Sequence, residues 1–318
     1  MKLPRRAVVV MSPLAANGGD IGAMGEIPEV AVRNSLGREG LRRIRRNPLA
    51  VAGGAVILFF ILVAIFAPLL APYNPRSTAW FDQIRPTSIP GPSGSHWLGL
   101  DASGRDELSR IIYGARASLI IGVLSLMIGA LVGASLGLLA GAFGGWVDSL
   151  VMRFTDIMLS VPGLLLALSI AAVIGQSQTS IIVAVAVPNV PLFARLLRGS
   201  MLGERQKDYV TSALAVGVRR RSLVMRHVFP NSLAPMLVQA SLALSTAIID
   251  ASALSFLGLG SADPGVPEWG RMLTDTTRYL RVAPHLAIFP GVAIMITALG
   301  FNLFGEAVRE ALDPKLRR

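Results

Sequence analysis

Long stretches of this chain carry no charged side chain, and that feature limits its fold more than any other. Leu49 to Ala71 is one such run, and Ala117 to Ala142 is a second. A third tract, Ile157 to Ala194, is too long for a single helix. At about 1.5 Å per residue, each of the first two crosses a hydrocarbon core of about 30 Å. A fifth apolar segment begins near Asn231 and ends near Gly258, and a sixth extends from about Pro284 to Gly305. The third tract contains Gly175-Gln-Ser-Gln-Thr-Ser180, a polar turn signal, so it splits into a hairpin of two spans. The expectation is an all-α polytopic membrane protein with six transmembrane helices. An open sheet cannot satisfy its edges in lipid, and no alternating period of a barrel strand occurs.

Charge supports that reading. Charged residues make up 15% of the chain, against about a quarter in soluble domains. The net charge of +11 does not point to nucleic acid, because the basic residues cluster between the apolar runs. Arg38, Arg42, Arg43, Arg45 and Arg46 precede the first span. Arg205, Lys207, Arg219, Arg220, Arg221 and Arg226 lie between the fourth and fifth, and Arg309, Lys315, Arg317 and Arg318 follow the sixth. The loops 73–110 and 261–283 carry fewer basic residues. Both termini and the 201–230 segment are therefore expected in the cytoplasm.

Three regions follow: a tail with a basic juxtamembrane segment over 1–48, a six-helix domain over 49–307 with a loop at 203–230, and a second tail over 308–318. The apolar run Ala7 to Met11 is shorter than the roughly 7–15 residues of a signal-peptide core. Residues 1–33 read as a largely disordered cytoplasmic tail. Ser35 to Arg46 reads either as a short helix on the anionic leaflet or as a plain topogenic cluster.

Gly129, Gly133, Gly137 and Gly141 recur every four residues and line one helix face. Small residues in that register let a neighbouring helix approach closely. Pro162, Pro188, Pro191, Pro235 and Pro290 lie in or beside the spans, where each removes a backbone donor and can bend a helix. Asp250 is the acid deepest in a span. Together with Ser252 it is a candidate for a translocation path, a structural contact between helices being the alternative. Asp148, Arg153 and Asp156 form a charged group at the start of the third span.

The segment between spans four and five is long for a connector. Asp208 to Val216 reads as a short helix stopped by Gly217, and Arg221 to Phe229 as a second one ending before Pro230. A compact helix presented to the cytoplasm is a handle that a soluble protein can grip.

This segment resembles the signature loop of binding-protein-dependent ABC permeases. The matching positions are Asp208, Tyr209, Val210, Ala213, Ala215 and Gly217, then Arg226, His227, Pro230 and Asn231. The family's usual Glu-Ala-Ala is Thr211-Ser212-Ala213 here. The resemblance implies that these residues, Thr211 and Ser212 included, form a coupling helix docked on an ATPase subunit. His96-Trp97-Leu98-Gly99-Leu100-Asp101, Gly104-Arg105-Asp106, Gly144 to Asp148, Leu254 to Gly260, Trp269 to Leu273, Phe301-Asn302-Leu303 and Asp313-Pro314 are similar to dipeptide and oligopeptide permeases. The likeness is strongest to their C-type subunit.

The resemblance implies several partners. They are a homologous second permease, two ATP-binding cassette subunits or one fused chain, an extracytoplasmic solute-binding protein, and the bilayer. ATP and Mg are expected in the ATPases. Peptide is the implied solute, with nickel or glutathione as alternatives. No cofactor, metal site or enzymatic activity is expected in this chain. Lys2, Lys207 and Lys315 are its only lysines, and none sits in a phosphate-binding loop. It has no cysteine and no His-Glu-x-x-His, and a serine-hydrolase triad has no support. His96, His227 and His285 are too scattered for an evident metal site. A stand-alone secondary transporter would call for internal repeats and coupling-ion acids, and neither is clear. A membrane scaffold that only docks a partner is the other alternative.

Overall fold

A computed structural model describes residues 44–85 and 87–312. The expected tail over 1–33, most of the basic stretch Ser35 to Arg46, and Asp313-Pro314 lie outside the described residues. Among those described, helices account for all extended secondary structure. The exceptions are two isolated bridges, Arg85 with Ser88 and Leu100 with Asp106.

The first span is α1, Pro48–Ile65, with Asn47 as N-cap accepting from the amides of Leu49 and Ala50. A short helical turn, Ala67–Leu70, prolongs it. The second is α2, Glu107–Phe143. Its 37 residues reach about 55 Å, longer than a hydrocarbon core of about 30 Å. It therefore begins ten residues before the charge-free run at Ala117. Asp106 caps it by accepting from the amide and hydroxyl of Ser109 at 2.8 and 2.7 Å.

The third span differs from expectation. It is a bent pair, α3 Gly145–Leu159 and α4 Gly163–Ile174, turned by 88° at the break between them. Pro162 stands at that break and cannot continue the first helix. Twelve residues of α4 reach only about 18 Å, too short to span alone. Among the described residues, five helices are long and apolar enough to cross a membrane, six counting this pair as one.

The fourth span is α5, Gln178–Arg205, with Pro188 and Pro191 inside it. A short helix, α6 Asp208–Ala215, follows. Helical turns then run from Arg220 through a π-helical stretch at Val224–Val228 to Phe229–Asn231, passing the expected stop at Pro230. The fifth span is α7, Ala234–Leu254, continued by π-helical turns at Ser255–Leu259. After α8, Trp269–Thr276, the sixth span is α9, His285–Leu312. It extends five residues into the segment read as a tail.

The central contact is α2 against α5. A Cβ on Gly129 would lie 2.6 Å from the Ala186 carbonyl oxygen. On Gly133 it would lie 2.5 Å from that of Val190, and on Gly137 2.5 Å from that of Ala194. On Gly141 it would meet Met201 Sδ at 2.9 Å. All four glycines face one helix, and their missing side chains let two backbones touch along four turns. Lipid offers apolar groups no reason to leave it, so van der Waals contact of this kind holds helices together. α9 closes the bundle against α7 and α1.

The end of the bundle opposite α6 is fixed by a polar framework. His96 Nδ1 lies 2.9 Å from the buried Asp106 carboxylate. Asp101 pairs with Arg105 at 2.6 Å and Arg110 at 3.4 Å. Trp269 is fully buried, its indole donating to the Ile111 carbonyl at 3.0 Å and packing edge-on to Phe60. The indole fits because residue 114 is glycine: a Cβ there would stand 2.6 Å from the ring.

Candidate functional site

α6 is built from the inside outward. Val210 is its one buried residue, packed with Leu197, Met201, Leu223, Val224, Val228 and Met236. That apolar plug fastens the helix to the ends of α5 and α7. The opposite face is open, with Asp208, Thr211, Ser212 and Ala215 exposed, and Leu214 is exposed as well.

The helix ends in a Schellman motif. The Gly217 amide donates to the Leu214 carbonyl and the Val218 amide to the Ala213 carbonyl, each at 3.0 Å. This closure puts Gly217 at φ +84°, a region that side-chain-bearing residues avoid. Nothing lies within 4 Å of a Cβ built there, so the glycine serves the backbone angle and not close packing. Val216, at the tip, is 79% exposed.

A second tie is polar. The Tyr209 hydroxyl donates to Glu204 Oε1 at 2.8 Å, and Asn231 Nδ2 donates to the Tyr209 oxygen at 3.4 Å. Lys207 Nζ lies 2.5 Å from the other Glu204 oxygen. Burial, and then the Glu204 carboxylate, raise the Tyr209 phenol above its ordinary pKa, so it remains a donor. Arg205 donates to the Ala142 carbonyl at 2.8 Å, joining the start of the loop to the end of α2.

The structure thus brings Tyr209, Val210 and Asn231 together and leaves Arg226 and His227 exposed on the π-helical stretch. Sequence reading missed Glu204, which sits among basic residues as if solvated. Its one signal is its place five residues before Tyr209.

Asp250 and Ser252 are not brought together. Asp250 is half-buried on α7 and belongs to no ion pair among the described residues. Ser252 is buried on another face, and a Cβ on Gly270 of α8 would lie 2.5 Å from its carbonyl oxygen. Asp148 and Asp156 join α3 to α5. Asp148 accepts from Arg198 Nε and Nη2 at 2.5 and 2.6 Å, and Asp156 pairs with Arg195.

Residues 133–318 match the family described as binding-protein-dependent transport system inner membrane component. Residues 35–87 match the N-terminal membrane domain of oligopeptide transport permease C. The chain belongs to this family of ABC-importer permeases. The permease is 43% identical over 280 residues to a dipeptide transport system permease protein of Alkalihalophilus pseudofirmus, covering 88% of this chain and 90% of the relative. It is also 43% identical to a glutathione transport system permease protein of Pectobacterium atrosepticum, covering 88% and 91%. Among solved structures it resembles a chain of the inward-facing MetNI methionine ABC transporter at a TM-score of 0.52. That likeness has 17% identity and covers 65% of this permease and 97% of that chain. At such identity it speaks to the fold alone: a type I importer permease.

Proposed function

We propose that this permease passes peptides across the membrane together with a homologous second permease, driven by ATPases that grip α6. The observation that carries this reading is the exposed helix itself. It is anchored through Val210 and Tyr209, closed at Gly217, and tipped by Val216. Thr211 and Ser212 lie on its open face and replace an acidic contact with a neutral one. ATP and Mg belong to two separate cassette subunits, or one fused chain, and an external binding protein delivers the solute. Both termini and α6 face the cytoplasm of a bacterial inner membrane. Asp250, half-buried in α7, is the residue of this chain assigned to the path. Ser252 supports the path only through its packing on α8. Arg226 and His227 flank the docking surface.

A bound ATPase shifts the bundle between two packings only by its different affinity for each, so the handle must be rigid. The Schellman closure and the Glu204 tie provide that rigidity. Peptide is favoured by the dipeptide relative. Glutathione, itself a small peptide, is favoured equally by the second.

The test is reconstitution with partner subunits in vesicles. Gly217→Val, or deletion of 208–217, is expected to leave ATP hydrolysis running while solute uptake falls to background. Normal uptake by either variant would contradict the proposal. Uptake by the purified chain alone would point to a secondary transporter instead.

A further inference from the structure

A groove of about 450 Å³ opens at the α6 end of the bundle, between the last turns of α2 and the helical turns after Gly217. Its volume falls within the roughly 300–1,000 Å³ of small-molecule sites. Leu139, Ala142 and Phe143 form one wall, and Val224 and Met225 the other. Phe143 is 69% exposed and Met225 48%, so the apolar walls lack cover among the described residues.

Arg220 and Arg221 complete the lining. Both are exposed, and neither forms an ion pair among the described residues. The sequence supplies no local counter-charge: residues 209–249 include Arg219, Arg220, Arg221 and Arg226 but no aspartate or glutamate. Arg205 does not join this pair freely, because its guanidinium is held by the Ala142 carbonyl, which fixes one wall of the groove.

The placement of these groups along the chain matters. Leu139 and Ala142 end the charge-free run of α2, so the apolar wall lies where the hydrocarbon core stops. The arginines line the same groove, beyond the end of that run. An occupant must be apolar along its length and anionic at one end. A soluble acidic protein matches only the arginines, and a neutral hydrocarbon only the walls. Basic pockets of this kind at a membrane interface take anionic lipid headgroups.

The geometry points to a binding site for an anionic phospholipid, with one acyl chain along the groove and its phosphate between Arg220 and Arg221. The bound lipid joins α2 to the segment that follows Gly217, and so stiffens the base of α6. This site is independent of the solute and of the ATPases.

Native mass spectrometry of the full-length purified chain in detergent tests it. Phosphatidylglycerol and phosphatidylcholine with identical acyl chains are the probes. The chain is expected to retain phosphatidylglycerol over phosphatidylcholine. Arg220→Gln with Arg221→Gln is expected to lower that retention by roughly 10- to 30-fold, as losing two interfacial arginines implies. Leu139→Trp, which fills the groove and keeps both arginines, is expected to lower it as well. Equal retention of the two lipids would overturn the proposal. So would a double variant that holds phosphatidylglycerol like the parent, whether or not it loses its grip on an acidic partner subunit.

Discussion

The Tyr209 hydroxyl donates to the buried Glu204 carboxylate at 2.8 Å, so the first turn of α6 is bonded to the last turn of α5. A hydrogen bond to a charged acceptor contributes about 1.5–3 kcal/mol, less where one partner is half-exposed as Tyr209 is. Tyr209→Phe keeps the ring and removes the donor. Hydrogen exchange of the amides of 208–216 is expected to quicken several-fold, while the exchange of α2 stays as it was. Unchanged exchange in α6 would mean that Val210 alone holds the helix.

Gly133 is the tightest test of the α2–α5 seam. A Cβ there stands 2.5 Å from the Val190 carbonyl oxygen and 2.7 Å from Phe193 Cβ, and the backbone carbonyl cannot rotate away. Gly133→Leu is expected to destabilise the permease by about 1–3 kcal/mol or more, through overpacking. Gly199 on α5 is the control, because nothing lies within 4 Å of its added Cβ. Gly199→Ala is expected to gain about 0.5–1 kcal/mol from helix propensity. Thermal melting in detergent checks both, and equal melting temperatures for the two would refute the close seam.

Much of this was legible in the sequence, and the misses share a cause. Apolar runs found each span because hydropathy reports what lipid will accept. They could not report direction, so the 88° turn at Ser160-Val161-Pro162 stayed hidden inside one charge-free tract. They also placed the start of α2 too late. Glu107 and Arg110 look like loop residues until the fold buries them beside Asp101 and Arg105, where Arg110 pairs with Asp101 at 3.4 Å. The α6 loop was readable because its stop is local: Gly217 sets the backbone angle whatever surrounds it. Glu204 was not readable, since its role depends on where the chain returns with Tyr209. Arg195 and Arg198 were passed over for the same reason. They lie just past the apolar tract, and their partners sit about forty to fifty residues earlier.

Glu268 caps α8, accepting from the Gly270 amide at 3.1 Å, and it is 2% exposed. Burial pushes its carboxyl up to about 7 from an ordinary 4.5. The folded state therefore holds a proton that the unfolded chain releases between those values. The stabilisation is complete below 4.5 and is lost as the pH rises through about 7. The melting temperature in detergent is expected to fall from about pH 5 to about pH 8. Glu268→Gln, which keeps the cap acceptor and cannot ionise, is expected to flatten that slope. A variant with the parent's slope would place the titration elsewhere.

Two ion pairs join α3 to α5, and their burial ranks them. Asp148 and Arg198 meet through two bonds with side chains 21% and 30% exposed. Asp156 and Arg195 meet with both side chains more than half exposed. An exposed pair contributes about 0–1 kcal/mol because water screens it. A bidentate, partly buried guanidinium–carboxylate pair holds its geometry and contributes more. Arg198→Ala is therefore expected to lower the melting temperature clearly, and Arg195→Ala hardly at all. A double-mutant cycle isolates the pair itself, because the single variants also leave a carboxylate without its partner. Coupling between Asp148 and Arg198 of about 1 kcal/mol or more is the expected result. No measurable coupling in either pair would show that α3 is held to α5 by packing alone.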